Sequence, residues 1–265
     1  MAGKEGSETM NSTIGTRGAH DWWNTVSPGV AAAAIFLLFW FNACSTVSPN
    51  ADKGKSSAAG TNTAQMPNQA SKAATAKDIV PQSLADAGEY GENVYDYAKA
   101  SDWKNANAKV AALKDSATRA RAEVKNQSAA VDRLDKSVDA VAGAVLSKDR
   151  QAAMREANQV TLDVANMTAA YKLSVPAEVT KLDYFGRELE VWAQVKEATK
   201  LQATARDMRQ TWDALRPGIE AHSVTEARKF DALVARAEAA KTPADYGRLA
   251  TLILNEVDNL EKLFH

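Results

Sequence analysis

The chain has 265 residues, 45% of them hydrophobic and 7% aromatic, with 32 basic and 33 acidic residues and a net charge of −1. So even a balance, with no basic stripe interleaved with aromatics, argues against nucleic acid as a partner. With a single cysteine, Cys44, the chain has neither a disulfide framework nor a thiolate metal site.

In chain order, the first feature is the apolar run Val30 to Phe41. It is about 12 to 15 residues long with its flanks, the size of a signal-peptide core and short of the roughly 20 needed to cross a bilayer as a helix. Behind it stands Phe41-Asn42-Ala43-Cys44. This tetrapeptide resembles the lipobox of bacterial lipoproteins at Ala43 and Cys44 and departs from it at Phe41 and Asn42. The resemblance covers only this leader, residues 1–44. It implies that Cys44 is lipidated and becomes the first residue of a mature chain tied to the periplasmic face of a membrane. Ser45 after it resembles lipoproteins sorted to an outer membrane. Two other readings stay open. Ala43-Cys44-Ser45 fits an ordinary signal-peptidase site, which would free the protein. Trp22 and Trp23 stand about 17 residues before Trp40, which suits an uncleaved anchor with an aromatic belt on each face. The flank ahead of the run carries Lys4 and Arg17 against Glu5, Glu8 and Asp21, so a strong positive flank is missing.

Removing two basic and three acidic residues with the leader leaves 30 of each sign in the remainder. Residues 45–78 are rich in Ser, Ala, Thr, Asn and Gly, and they hold almost no large apolar residue. Such a segment cannot bury enough surface to offset its chain entropy, which predicts a disordered tether. About 34 flexible residues span roughly 30–35 Å.

From Pro81 to Phe264 apolar residues recur at spacings of three and four, as in Ala106, Val110, Leu113, Ala117 and in Leu201, Ala205, Met208, Trp212. Alanine is frequent and strand-like alternation is absent, which predicts an all-α body. The runs repeat. Ala106, Val110, Leu113 and Ala117 map onto Ala153, Ala157, Val160 and Val164 at an offset of 47, and a further 48 reaches Leu201, Ala205, Met208 and Trp212. The agreement is best at the half: Tyr90-Gly91 answers Phe185-Gly186, and Tyr97-Ala98 answers Trp192-Ala193, at an offset of 95. The expected architecture is a duplicated antiparallel helical bundle built from four helix-pair repeats of about 47 residues, with halves 81–172 and 175–265. A short α-solenoid is the alternative, since that length suits HEAT-type repeats.

Local signals set the breaks. Thr242-Pro243-Ala244-Asp245 reads as a cap followed by Pro at the first helical position. Asp102 and Asp149 sit where equivalent caps are needed. Ser174-Val175-Pro176 and Arg216-Pro217-Gly218 are expected to end helices. Gln194 to Thr199 holds no breaker, so the third pair reads equally well as one long helix.

The chemistry-bearing residues are sparse. The body holds only His222 and His265, neither placed for a buried haem, and it has no Glu-x-x-His or His-Glu-x-x-His spacing. Met154, Met167 and Met208 fall on core stripes and read as packing. There is no Gly-x-Ser-x-Gly and no phosphate loop. Paired acids such as Glu188 and Glu190 read as a solvated helix face. No enzyme, cofactor or metal site is therefore expected.

The aromatics are the remaining clue. Tyr90, Tyr95, Tyr97, Trp103, Tyr184, Phe185, Trp192 and Trp212 gather in the first and third pairs. Core packing accounts for many of them. The functional reading is an aromatic-lined groove between the halves, with Tyr184, Phe185, Trp192, Tyr97 and Trp103 as binding residues and Arg187 to hold a carboxylate. The expectation is a lipid-anchored, non-enzymatic envelope protein that binds a partner protein or an apolar small molecule. A periplasmic carrier of a redox cofactor or metal is the alternative.

Overall fold

The computed structural model describes residues 79–124 and 126–265. The apolar run 30–41, Cys44 and the 45–78 segment lie outside the described residues. Among the described residues the chain is all-helical, without strands. In order these are α1 (Gln82–Lys99), α2 (Trp103–Glu123), α3 (Ser128–Leu146), α4 (Arg150–Thr168), α5 (Ala177–Val195), α6 (Ala198–His222), α7 (Val224–Ala239) and α8 (Pro243–Glu261), closed by a 3-10 turn, Lys262–Phe264. None of these helices is long and apolar enough to cross a membrane.

The helix starts follow from their caps. Asp102 accepts a hydrogen bond from the Asn105 backbone N–H at 3.2 Å, and Asp149 from that of Ala152 at 3.0 Å. Thr242 and Asp245 form a reciprocal capping box behind Pro243. Each such side chain satisfies a backbone donor that has no partner within its helix.

Three of the tight turns are built alike. Ser101, Lys148 and Lys196 all adopt positive φ, at 58°, 54° and 60°. In each, the left-handed residue and its successor donate back to the last turn: Ser101 to Ala98 and Asp102 to Tyr97, Lys148 to Val145 and Asp149 to Ala144, Lys196 to Ala193 and Glu197 to Trp192. This is the Schellman pattern, which satisfies the carbonyls at a helix end. It also decides between the two readings of the third pair, which is two helices broken at Lys196 and not one long helix. The break at Lys196 carries no Gly or Pro, because a lysine accepts the left-handed conformation. A side chain there costs about 1–2 kcal/mol, partly offset by the greater chain entropy of glycine. Lys196→Gly is therefore expected to stabilise the protein by about 0.5–1 kcal/mol, read as a higher urea midpoint.

Pro217 is a second correction. It was expected to end a helix, yet α6 continues through it to His222. The missing N–H removes one helical hydrogen bond. Ile219, fully buried just beyond it, and Leu215 just before hold the turn against the core, and that burial offsets the loss. Ser223 then caps α7 by accepting from the Glu226 N–H at 3.3 Å.

The apolar stripes close two cores. Ala106, Val110, Leu113 and Ala117 enter the first, with Leu84, Val94, Leu134, Met154, Val160 and their neighbours. Leu201, Ala205, Met208 and Trp212 enter the second, with Leu182, Leu189, Phe230, Ile253 and Val257. In the first, α1 packs on α2 and α4, and α3 packs on the same two helices; in the second, α5 packs on α6 and α8, and α7 on those two. The short connections make successive helices antiparallel. α4 packs on α5 and joins the two groups, and Val191 of α5 sits in the first core.

One glycine in each group lies tight against a facing helix. A Cβ on Gly91 would stand 3.0 Å from Val160 Cγ1, and one on Gly186 would stand 2.7 Å from Leu254 Cδ2 and 2.9 Å from its Cγ. Gly186→Val is expected to cost about 1–3 kcal/mol by overpacking α5 against α8, measured as a drop in Tm. Gly91→Ala should be milder, since its nearest contact is a side-chain methyl at the edge of tolerance.

Candidate functional site

Helix α5 is the positioning element, and its sequence serves three surfaces at once. Val179, Leu182 and Leu189 face the second core. Asp183, Arg187 and Glu190 reach toward α1. Tyr184, Glu188 and Trp192, four residues apart, form a ridge on which side chains stack one above another. With Phe185, that ridge lines a cleft of about 440 Å³ bounded by Leu162 of α4 and by residues of α6, among them Lys200, Ala203, Thr204 and Asp207. The size falls within the range of small-molecule sites.

The centre of the cleft wall is a held carboxylate. Glu188 is 8% exposed. Its Oε2 accepts a hydrogen bond from Trp192 Nε1 at 2.5 Å, and its Oε1 accepts one from Asn158 Nδ2 at 3.1 Å. Asn158 is fully buried on α4 and also donates to the Tyr184 carbonyl at 3.1 Å, which fixes α4 to α5. Burial raises the pKa of Glu188, opposed by the Trp192 and Asn158 hydrogen bonds and by Lys200 and Arg155. The Tyr184 hydroxyl is pushed well above its ordinary value, by burial first and then by Glu188, Asp163 and Asp207. Tyr184 and Phe185 meet edge to face with centroids 5.3 Å apart. The Lys200 ammonium stands 5.6 Å from the centroid of the Trp192 ring.

Arg187 lies apart from this cleft. It is 6% exposed, with Nε 2.8 Å from Asp183 Oδ2 and Nη2 3.5 Å from Glu92 Oε2 of α1. Its guanidinium also sits 5.0 Å from the Tyr95 ring centroid. Burial opposes its charge, but Asp183, Glu92 and Asp96 together outweigh that and raise its pKa. Beside it, Tyr95 Oη donates to Glu190 Oε2 at 2.9 Å, and Lys99 Nζ stands 2.6 Å from Glu190 Oε1. Both bridges, Glu92 to Arg187 and Tyr95 to Glu190, join positions 95 residues apart, the offset of the sequence repeat.

Of the residues expected to bind, the structure therefore brings Tyr184, Phe185 and Trp192 to one cleft. Arg187 already holds carboxylates of the chain itself. Tyr97 and Trp103 pack, half-buried, against the first core near the α1–α2 turn. The expectation that Glu188 and Glu190 share a solvated face is corrected: Glu188 turns to the cleft and Glu190 to Tyr95. The reason is tertiary, since α1 and α4 cover the surface that a lone helix would leave to water. Asn158 and Lys200 were not anticipated; the one available signal was the four-residue spacing of Tyr184, Glu188 and Trp192.

His222 and Glu226 fall on different helices. The His222 ring lies 2.9 Å from the Gly218 carbonyl through Nδ1 and 4.8 Å from the Phe264 ring. Among the described residues no group of three or more His, Cys, Asp or Glu side chains is arranged to hold a metal ion. No protein-family model, no curated protein and no solved structure matches the chain.

Proposed function

We propose that this chain is a non-enzymatic binding protein of the bacterial envelope, anchored by lipid on Cys44 and presenting the α4–α5–α6 cleft to a small molecule. The cleft carries the reading: Tyr184, Phe185 and Trp192 line one concavity beside a carboxylate, Glu188, that its hydrogen bonds hold in place, a combination that can bind and orient a small molecule. Glu188 accepts hydrogen bonds from Trp192 and Asn158, and no histidine stands beside it in the cleft wall, which favours a binding role.

The folded part reads as a duplication, one four-helix bundle followed by another. Three observations support this. The Schellman turns recur at Ser101, Lys148 and Lys196. Gly91 and Gly186, 95 residues apart, each leave little room for a Cβ against a facing helix. The order of packing among α1 to α4 is that among α5 to α8. On this reading the cleft belongs to the second bundle, with α4 of the first as one wall, and residues 45–78 hold the whole away from the membrane.

The test is a native mass spectrum of the protein extracted gently from its own host, followed by denaturation of the same sample. The expected denatured mass is that of a chain beginning at Cys44 plus acyl groups, with a small bound mass released on denaturation. An unlipidated chain beginning after Ser45, or one that keeps its leader, would overturn the anchor. A native mass equal to the denatured mass would overturn the binding role.

A further inference from the structure

We infer that the cleft takes a small organic cation, an alkylammonium seated against Tyr184, Phe185 and Trp192 with its charge toward Glu188 and Asp207. This rests on the cleft being a ligand site and names the class of its ligand. The faces of aromatic rings attract a cation, tryptophan most strongly. Among the cleft-lining side chains, two carboxylates, Glu188 and Asp207, stand against one ammonium, Lys200. Glu188 is already oriented by Trp192 and Asn158, so a ligand that meets it pays little to order the site.

The chain itself shows where a cation sits. The Lys200 ammonium lies over the Trp192 ring at 5.6 Å, on an exposed side chain of the first turn of α6. Its flexible stem lets the charge withdraw to water when another cation arrives. An anionic ligand would find one exposed lysine against two acids. A neutral apolar ligand would bury the Glu188 carboxylate further with no charge to compensate it. An ammonium satisfies both the rings and the acids.

Calorimetric titration of the full chain with choline, its neutral carbon isostere and benzoate tests this. Choline is expected to bind at least about tenfold more tightly than the isostere. Lys200→Ala, which removes an exposed competitor, is expected to tighten choline binding about two- to fivefold, and Glu188→Gln to weaken it about tenfold. Equal binding of choline and the isostere would overturn the inference while leaving a ligand site for apolar molecules in place. Preference for benzoate, with affinity lost in Lys200→Ala, would overturn it in favour of an anion site. Failure of all three probes to bind would overturn it as well. Because Lys200 is exposed, its variant remains informative even if Glu188→Gln perturbs folding.

Discussion

Arg187→Met is expected to cost about 3–5 kcal/mol of stability at neutral pH, the loss typical when one partner of a buried ion pair is removed. The guanidinium is enclosed by Asp183 on its own helix and Glu92 on α1, with the Tyr95 ring on one side. Methionine fills much of the space but leaves the carboxylates facing one another without a cation. Without the guanidinium their mutual repulsion favours the uptake of a proton. The deficit should therefore shrink as pH falls toward about 5, where protonation removes the repulsion. Urea denaturation followed by circular dichroism at both pH values measures it. A loss below about 1 kcal/mol at neutral pH would mean that water reaches the group and that the pair behaves as a surface bridge. Because Glu92 lies on α1 and Arg187 on α5, the same variant also reports how strongly the two helical groups are tied together.

Glu261→Gln is expected to act in the opposite direction. Glu261 ends α8 and is 8% exposed. Burial, with the charges of Asp183, Glu92 and Asp258, pushes its carboxyl up to about 9 against the opposing pull of Arg187. A carboxyl in the unfolded chain releases its proton near pH 4.3. Between these values the folded state keeps a proton that the unfolded state has lost. Stability therefore falls as pH rises from about 4.5 to about 9, by as much as about 1.4 kcal/mol per pH unit. Glutamine keeps the neutral shape at every pH and removes the penalty. At pH 7 the variant should be more stable than the wild type by up to about 3 kcal/mol, and the two should converge near pH 4.5. Melting curves between pH 5 and 9 decide it. Parallel curves, with a constant difference between the proteins, would show that Glu261 is ionised in the folded state.

The helical class was written in the spacing of the apolar residues, because each stripe needed only a single core to face: Ala106, Val110, Leu113 and Ala117 are all buried. Caps were legible for the same reason of locality, as at Asp102, Asp149 and Thr242. The features that escaped depend on neighbours distant in sequence. A rule for a single helix sends Glu188 and Glu190 to solvent, whereas Asn158 of α4 and Tyr95 of α1 receive them. Arg187 reads as a donor awaiting a ligand until Glu92, on α1, is brought beside it. The Lys196 turn had no glycine to announce it, and Pro217 announced an end that the buried Ile219 overrides. The cleft was half legible. Tyr184, Phe185 and Trp192 were marked by their aromatic density, while Lys200 and Asp207 come from α6 and enter only through the packing of α5 against it.

The central claim is that the α4–α5–α6 cleft holds a ligand, and filling it is the most direct test. Ala203 is half-buried in the cleft wall, so Ala203→Trp places a large ring there without touching either core. Native mass spectra of wild type and variant, both isolated from the host under the same conditions, should differ. The wild type should carry a bound small mass that leaves on denaturation. The variant, folded with a similar Tm, should carry none. A bound mass retained in full by the folded Ala203→Trp protein would contradict the account by placing the ligand elsewhere.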